Sequence, residues 1–235
     1  MWQLSPGDPA SSARLLAAPQ MREYTEIVAR LSRDEPELTL DWGCGYGQIS
    51  SMLVGAGLRI ESFEYAGPGS PNAVVSLPLY PEIHAYISSE DLALPYEDSK
   101  FDAVLSCGVL EHVRDPGGSL DEIRRVLAPG GILYCFKLPN RHSYTERIAK
   151  FMGRHYHGKD KFDTLYTLKS ARALFETHGF TVMEARYANM LPLLLTAGWV
   201  RATEGPFWRL NRALSRIPGL RLLATNVELV ARAPL

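Results

Sequence analysis

Short apolar runs alternate along this chain with stretches whose apolar residues recur at the spacing of a helix face. From Gln20 to Leu31, the residues Met21, Tyr24, Ile27, Val28 and Leu31 share one such face. Leu38 to Trp42 reads as a first strand. Gln48 to Val54 reads as a helix ended by Gly55 and Gly57, and Leu58 to Glu64 as a second strand. Pro68, Pro71, Pro78 and Pro81 leave room for at most one short helix between Ala66 and Pro81. Ile83 to Ile87 and Phe101 to Cys107 are the next strands. Ser119 to Leu127 is a helix with Leu120, Ile123 and Leu127 inward, and Pro129-Gly130-Gly131 turns into the strand Ile132 to Phe136. A polar, aromatic and histidine-rich stretch runs from Pro139 to Tyr166. It is followed by a helix from Leu168 to Thr177, stopped by Gly179, and a strand from Phe180 to Ala185. Met190 to Ala224 looks helical and basic, and Thr225 to Ala231 is a last strand. Strands alternating with helices imply a parallel sheet with helices on both faces.

The first strand ends in an acid and runs into glycines at every second position: Leu38-Thr-Leu-Asp41-Trp-Gly43-Cys-Gly45-Tyr-Gly47. Glycine there lets backbone close on a ligand. Asp41 at the mouth of the turn suits a cationic, nucleoside-bearing ligand and would repel a pyrophosphate. The dinucleotide fingerprint G-x-G-x-x-G fits poorly, because Gln48 stands where its third glycine belongs.

Composition narrows the function classes. A length of 235 residues suits one domain, with residues 1–19 as a loose arm and 139–166 and 190–224 as insertions on a lid or acceptor side. The net charge of -1 gives no strong nucleic-acid signal. Cys44, Cys107 and Cys135 have no metal-type spacing and read as reduced thiols of a cytoplasmic protein. The amino terminus shows no signal-peptide pattern. The longest apolar run, Met190 to Val200, contains Pro192 and Gly198 and is too short to span a bilayer.

Three landmarks stand in order: Asp-x-Gly-x-Gly-x-Gly at Asp41, Leu94-Pro-Tyr-Glu-Asp-Ser-Lys-Phe-Asp102, and Leu110-Glu-His-Val followed by Leu127-Ala-Pro-Gly-Gly131. With them the chain resembles the class I S-adenosylmethionine-dependent methyltransferases, in the subgroup like the ubiquinone-biosynthesis and related small-molecule enzymes. The likeness covers roughly Asp41 to Val182 and the terminal strand. It implies an α/β fold: a Rossmann-like, mostly parallel seven-stranded sheet with helices on both faces and an antiparallel last strand. It also implies S-adenosyl-L-methionine as cofactor. Asp41, Gly43, Gly45 and Gly47 would form the loop under its methionine and ribose portions. Glu64, with Tyr65 beside it, would accept the ribose hydroxyls. Glu90 or Asp91, with the Leu92 backbone, would meet adenine. Ser106 and Cys107 would lie beneath the sulfonium.

The acceptor is less legible. The Asn- or Asp-Pro-Pro-aromatic motif of one large class of N-methyltransferases is replaced by Ser106-Cys-Gly-Val. In similar enzymes the region after the fifth strand builds the acceptor pocket. There His155 and His157 are candidate general bases for a hydroxyl; a metal site is not indicated. Phe207, Trp208, Leu210, Leu214 and Ile217 suggest an apolar helix face beside Arg209, Arg212 and Arg216, suited to covering the cleft or to peripheral membrane contact through 207–217. O-methylation of a small-molecule, glycan or lipid-linked acceptor is the leading expectation. The alternatives are an RNA or protein methyltransferase and a non-catalytic cofactor-binding regulatory protein.

Overall fold

The computed structural model describes residues 19–67, 80–153, 163–191 and 204–235, with the side chains of 19, 20 and 204 left aside. Helix α1 (Pro19–Asp34) precedes β1 (Thr39–Trp42), α2 (Gln48–Gly55), β2 (Ile60–Tyr65), β3 (Ala85–Ser88) and β4 (Phe101–Cys107). Then come α3 (Pro116–Val126), β5 (Leu127–Pro139), α4 (Tyr144–Phe151), α5 (Leu168–Thr177), β6 (Thr181–Ala188), α6 (Glu204–Leu214), a 3-10 turn (Leu220–Leu223) and β7 (Asn226–Arg232).

The strands form one seven-stranded sheet in the order β3-β2-β1-β4-β5-β7-β6. Pairings among β1 to β5 are parallel, and β7 runs antiparallel to both β5 and β6. This is the Rossmann-like sheet expected. The central strands are apolar on both faces because both are covered. On β4 and β5, Val104, Leu133 and Cys135 pack in one cluster with Leu120, Ile123 and Phe175 from α3 and α5. Their neighbours Ala103, Leu105, Tyr134 and Phe136 pack in the other with Ile27, Leu31 and Leu53 from α1 and α2.

Local chemistry sets several ends differently from the sequence expectation. Helix α3 starts at Pro116, not Ser119, because Asp115 caps it by accepting from Gly118 N and proline suits a first helical position. Pro129-Gly130-Gly131 lies within β5 rather than before it. The ladder jumps from Phe101↔Leu127 to Ala103↔Ile132, so the extra residues bulge out of an otherwise continuous strand. Inside the stretch 139–166, for which the sequence reading named no helix or strand, α4 forms behind a Ser143 cap that accepts from Glu146 N.

Helix α6 docks on α1. Trp208 Nε1 and Arg212 Nη1 donate to the two carboxylate oxygens of Glu26, at 2.5 and 2.7 Å. Its buried face is Trp208 and Asn211, while Leu210 and Ile217 are exposed. The apolar face read from the sequence is therefore only partly the packing face. No described helix is long and apolar enough to cross a membrane.

Candidate functional site

The residues singled out in the sequence converge on the carboxyl ends of β3, β2, β1 and β4, where ligands bind in open α/β sheets. Register aligns these ends: Trp42 pairs with Phe63 and Ser106, and Tyr65 with Ser88. The turn after β1 is clamped to β2, since Gly43 N and Cys44 N both donate to Phe63 O at 2.9 and 3.0 Å. Gly45 N donates to Glu64 Oε2 at 2.7 Å.

The glycines serve different ends. All three have positive φ. A Cβ on Gly43 would come within 2.4 Å of Val109 Cγ2, so that glycine lets the loop after β4 pack on the turn. A Cβ on Gly45 would meet nothing within 4 Å, so open space lies in front of this backbone and a ligand can approach it. Gly47 takes the left-handed conformation at the start of α2.

Asp41 is buried beneath the turn rather than exposed at its mouth, and its Oδ2 accepts from Ser50 Oγ at 2.6 Å. The Ser50 and Ser62 hydroxyls are 2.9 Å apart, completing a polar thread under the loop. Burial raises the Asp41 carboxyl to about 6; the Ser50 hydrogen bond opposes the rise and the Glu64 charge adds to it.

Glu64 is buried at the end of β2. Tyr65 follows it, with its ring over Gly67. Glu90, Asp91 and Leu92 are exposed beyond β3. Asp91 faces Arg114 at 3.4 Å, and Glu90 N donates to Ser88 Oγ at 3.0 Å. Ser106 is buried at the end of β4 and Cys107 half-buried. Burial holds the Cys107 thiol well above its ordinary pKa despite Lys137 nearby, so it is a neutral thiol at physiological pH.

The loop after β4 is tied to residues that follow α4. Asp163 Oδ1 lies 2.9 Å from His112 Nδ1, and Thr164 N donates to Glu111 O at 2.8 Å. His155 and His157 lie outside the described residues. Among the described residues no group of three or more His, Cys, Asp and Glu could hold a metal ion.

Two groups went unnoticed in the sequence: Glu23 on α1 and Lys137 near the end of β5, which form an ion pair at 3.6 Å. Lysine in a strand and glutamate on an amphipathic helix look like solvated charges. Only the tertiary fold brings them together. A cavity of about 780 Å³ between α1, β6 and α6 is lined by Glu23, Asn189, Trp208 and Asn211, together with several arginines. It includes none of the glycine-loop residues.

Comparison with known proteins agrees with this geometry. A family described as a methyltransferase domain matches residues 40–135. An uncharacterized methyltransferase of Mycobacterium leprae is 28% identical over 234 residues, covering 95% of this chain and 83% of that protein. The ubiquinone biosynthesis O-methyltransferase of Cereibacter sphaeroides is 30% identical over 160 residues, covering 61% of this chain and 65% of that protein. Among solved structures, a putative sarcosine dimethylglycine methyltransferase from Galdieria sulphuraria superposes with a TM-score of 0.57 at 19% identity, covering 91% of this chain and 85% of that one. The Burkholderia thailandensis 1,6-didemethyltoxoflavin-N1-methyltransferase, solved with S-adenosylhomocysteine bound, gives 0.55 at 15% identity, with 100% and 93% covered. The structural likenesses speak for the fold, and the family match adds the activity. With the acids ordered along the strand ends around an approachable glycine turn, they identify the chain as an S-adenosylmethionine-dependent methyltransferase whose methyltransferase-domain match spans residues 40–135.

Proposed function

We propose that the enzyme is a single methyltransferase domain of the cytoplasm that methylates a hydroxyl of a small-molecule, glycan or lipid-linked acceptor. The observation that carries the choice of oxygen is the end of β4. It reads Ser106-Cys107-Gly108-Val109 where one large class of amide- and base-methylating enzymes carries a proline-aromatic motif. The cofactor supplies an electrophilic methyl group and its leaving group. The residues around it bind and orient. In this reading the Gly43–Gly47 turn passes under the methionine and ribose portions, with Asp41 beneath it. Glu64, with Tyr65 beside it, accepts from the ribose hydroxyls. Glu90 with the Leu92 backbone meets adenine, since Asp91 is drawn toward Arg114. The Ser106 and Cys107 backbone lies under the sulfonium.

A methyl-transfer screen with labelled cofactor tests the acceptor class against lipid, glycan, RNA and small-molecule pools. Label only in RNA or protein would overturn the reading. Cofactor binding with no label in any pool would favour a regulatory protein.

Asp41 makes cofactor binding depend on pH. A cationic ligand favours ionised Asp41, whose carboxyl in the unbound protein sits at about 6. Binding should therefore release a proton near that pH. Affinity should be flat above about pH 7 and fall below pH 6 by up to about tenfold per unit, the limit for one linked proton. The linkage to folding has the opposite sign. The folded value lies above the ordinary 3.8, so the unbound fold loses stability as pH rises from about 4 to 6 and holds level beyond. Calorimetry at pH 5.5 in two buffers of different ionisation enthalpy reads the proton release. Affinity unchanged between pH 5 and 7.5 would contradict the assignment.

His155 and His157 remain candidate proton acceptors on sequence position. Loss of a general base typically costs about 10²–10⁴ in rate. Turnover of an identified acceptor by His155→Ala and His157→Ala at the wild-type rate would remove both.

A further inference from the structure

We propose that Glu23 and Lys137 form the binding and proton-transfer site for the acceptor hydroxyl: Lys137 donates a hydrogen bond to its oxygen and Glu23 accepts its proton. The inference rests on the methyltransferase reading above and assigns the residues that would meet the second substrate.

Backbone geometry gives Lys137 an unusual aim. Between Cys135 and Leu138, β5 carries one residue more than its partner β7, where Leu229 and Val227 are the matching positions. Lys137 sits in this bulge with φ of 65°, a conformation uncommon outside glycine. Bulges of this kind re-aim a side chain and recur beside active sites. Here the bulge lies at the carboxyl end of β5, one residue past Phe136, which pairs with Cys107 at the end of β4. The Cys107 thiol feels both the Lys137–Glu23 pair and Asp41. The pair therefore adjoins the expected sulfonium position on the side away from Glu64.

Its hydrogen bonding is incomplete in a complementary way. Glu23 is buried, and its Oε1 accepts from Asn189 Nδ2. Its Oε2 has no hydrogen-bond partner. A buried carboxylate oxygen left so costs stability, and such exceptions call for an explanation. The Lys137 ammonium lies 3.6 Å from that oxygen, an ion pair too long for a hydrogen bond. Its side chain is 21% exposed, so the position is reachable. Among the described residues the ammonium makes no hydrogen bond, and it lies 5.2 Å from the centre of the Tyr24 ring. A hydroxyl is the group that satisfies both at once, since its O–H can donate to Oε2 while its lone pair accepts from Nζ.

The frame around the pair is rigid. Asn189 Nδ2 also donates to Asn226 Oδ1, Asn211 Nδ2 donates to Asn189 Oδ1, and Asn226 Nδ2 donates to the carbonyl of Lys137 itself. These contacts hold α1, β5, the end of β6, β7 and α6 around one point. Burial alone would lower the Lys137 pKa, but Glu23, Tyr24, Cys107 and Glu111 raise it above that of an ordinary lysine. Lys137 is thus a fixed cation and not a base. The proton must go to the carboxylate. The hydroxyl oxygen attacks the methyl carbon, the C–S pair returns to sulfur, and the O–H proton passes to Glu23 Oε2. A carboxylate is a weak base, so the pair suits an acidic hydroxyl, a phenol or enol, over an aliphatic alcohol. The Tyr24 ring offers such a group a flat wall.

The test uses 4-nitrophenol, whose ionised form has a distinct visible absorption, added to protein saturated with S-adenosylhomocysteine. Wild type should bind it as the phenolate at a pH where the free phenol is largely protonated. Lys137→Met should weaken that binding at least tenfold, Lys137→Arg should retain most of it, and Glu23→Gln should form phenolate only with release of the proton to the buffer, where wild type keeps it on Glu23. Calorimetric S-adenosylhomocysteine affinity should be unchanged in all three variants, which shows that they fold. Failure of wild type to bind S-adenosylhomocysteine would defeat the methyltransferase reading instead. Given cofactor binding, three results would overturn the proposal: no phenolate with wild type, equal phenolate binding by Lys137→Met, or full turnover by Glu23→Gln with loss on His155→Ala or His157→Ala.

Discussion

Glu64→Ala is expected to weaken S-adenosylmethionine binding by about tenfold if one ribose hydrogen bond is lost and by more than about 10²-fold if both are. Hydrogen bonds to a charged acceptor contribute about 1.5–3 kcal/mol each, and about 1.4 kcal/mol is a factor of ten. The substitution also removes the acceptor for Gly45 N, now held at 2.7 Å, so the turn loses its tie to β2 at that point. Glu64→Gln separates the two effects. Its amide oxygen can still accept from Gly45 N, but the charge and one acceptor oxygen are gone. Calorimetric titration of both variants gives the ranking, with Gln intermediate. Wild-type affinity in a folded Glu64→Ala protein would take ribose recognition away from this residue.

Gly43→Ala should be the more damaging change to the fold. At φ of 78° a side chain carries a penalty of roughly 1–2 kcal/mol. Its Cβ would lie 2.4 and 2.8 Å from the two methyls of Val109, and overpacking of that sort typically costs about 1–3 kcal/mol. For a chain of this size the melting temperature moves by about 2–4 °C per kcal/mol, so a fall on the order of 10 °C is expected. Val109→Ala in the same protein should restore most of the packing part, since only the Val109 Cβ at 3.2 Å remains, and leave the backbone part. Gly45→Ala makes the contrast. No atom within 4 Å opposes its Cβ, so it should cost less stability and act mainly on cofactor affinity. Equal melting of Gly43→Ala and wild type would refute the packing argument.

The gathering of acids and glycines at the strand ends was legible because it is local. A strand, a glycine turn and an acid at the next strand end are contiguous in sequence, and the parallel sheet aligns their ends without further information. The same logic failed for Asp41, whose type was read correctly and whose place was not. Its burial depends on Ser50 and Ser62, which look unremarkable one by one. Helix α4 was hidden in a polar, aromatic stretch because it is only 8 residues long and buries only Ala149. Glu23, Lys137 and the His112–Asp163 contact were invisible for another reason. Each joins elements distant in sequence, and the Lys137 bulge leaves no trace in an alternation pattern. His155 and His157 lie outside the described residues, so their role rests on sequence alone.

Two buried carboxylates, Asp41 and Glu64, flank the glycine turn proposed to hold the cofactor. Such a pocket is charge-matched to a sulfonium and mismatched to the thioether left once the methyl group has gone. Chemistry therefore strips the bound molecule of the positive charge that made the site hospitable. The spent cofactor is the weaker guest before any part of the protein moves. Asp41, poised near neutrality, sets how strongly this is felt. Below about pH 6 it can take up a proton and accommodate the thioether. Above that pH it stays ionised, and the preference for fresh cofactor over spent widens. With the cofactor placed as proposed, clearance of product follows from the electrostatics of the turn, and product inhibition should ease as the pH rises from about 5 to 7.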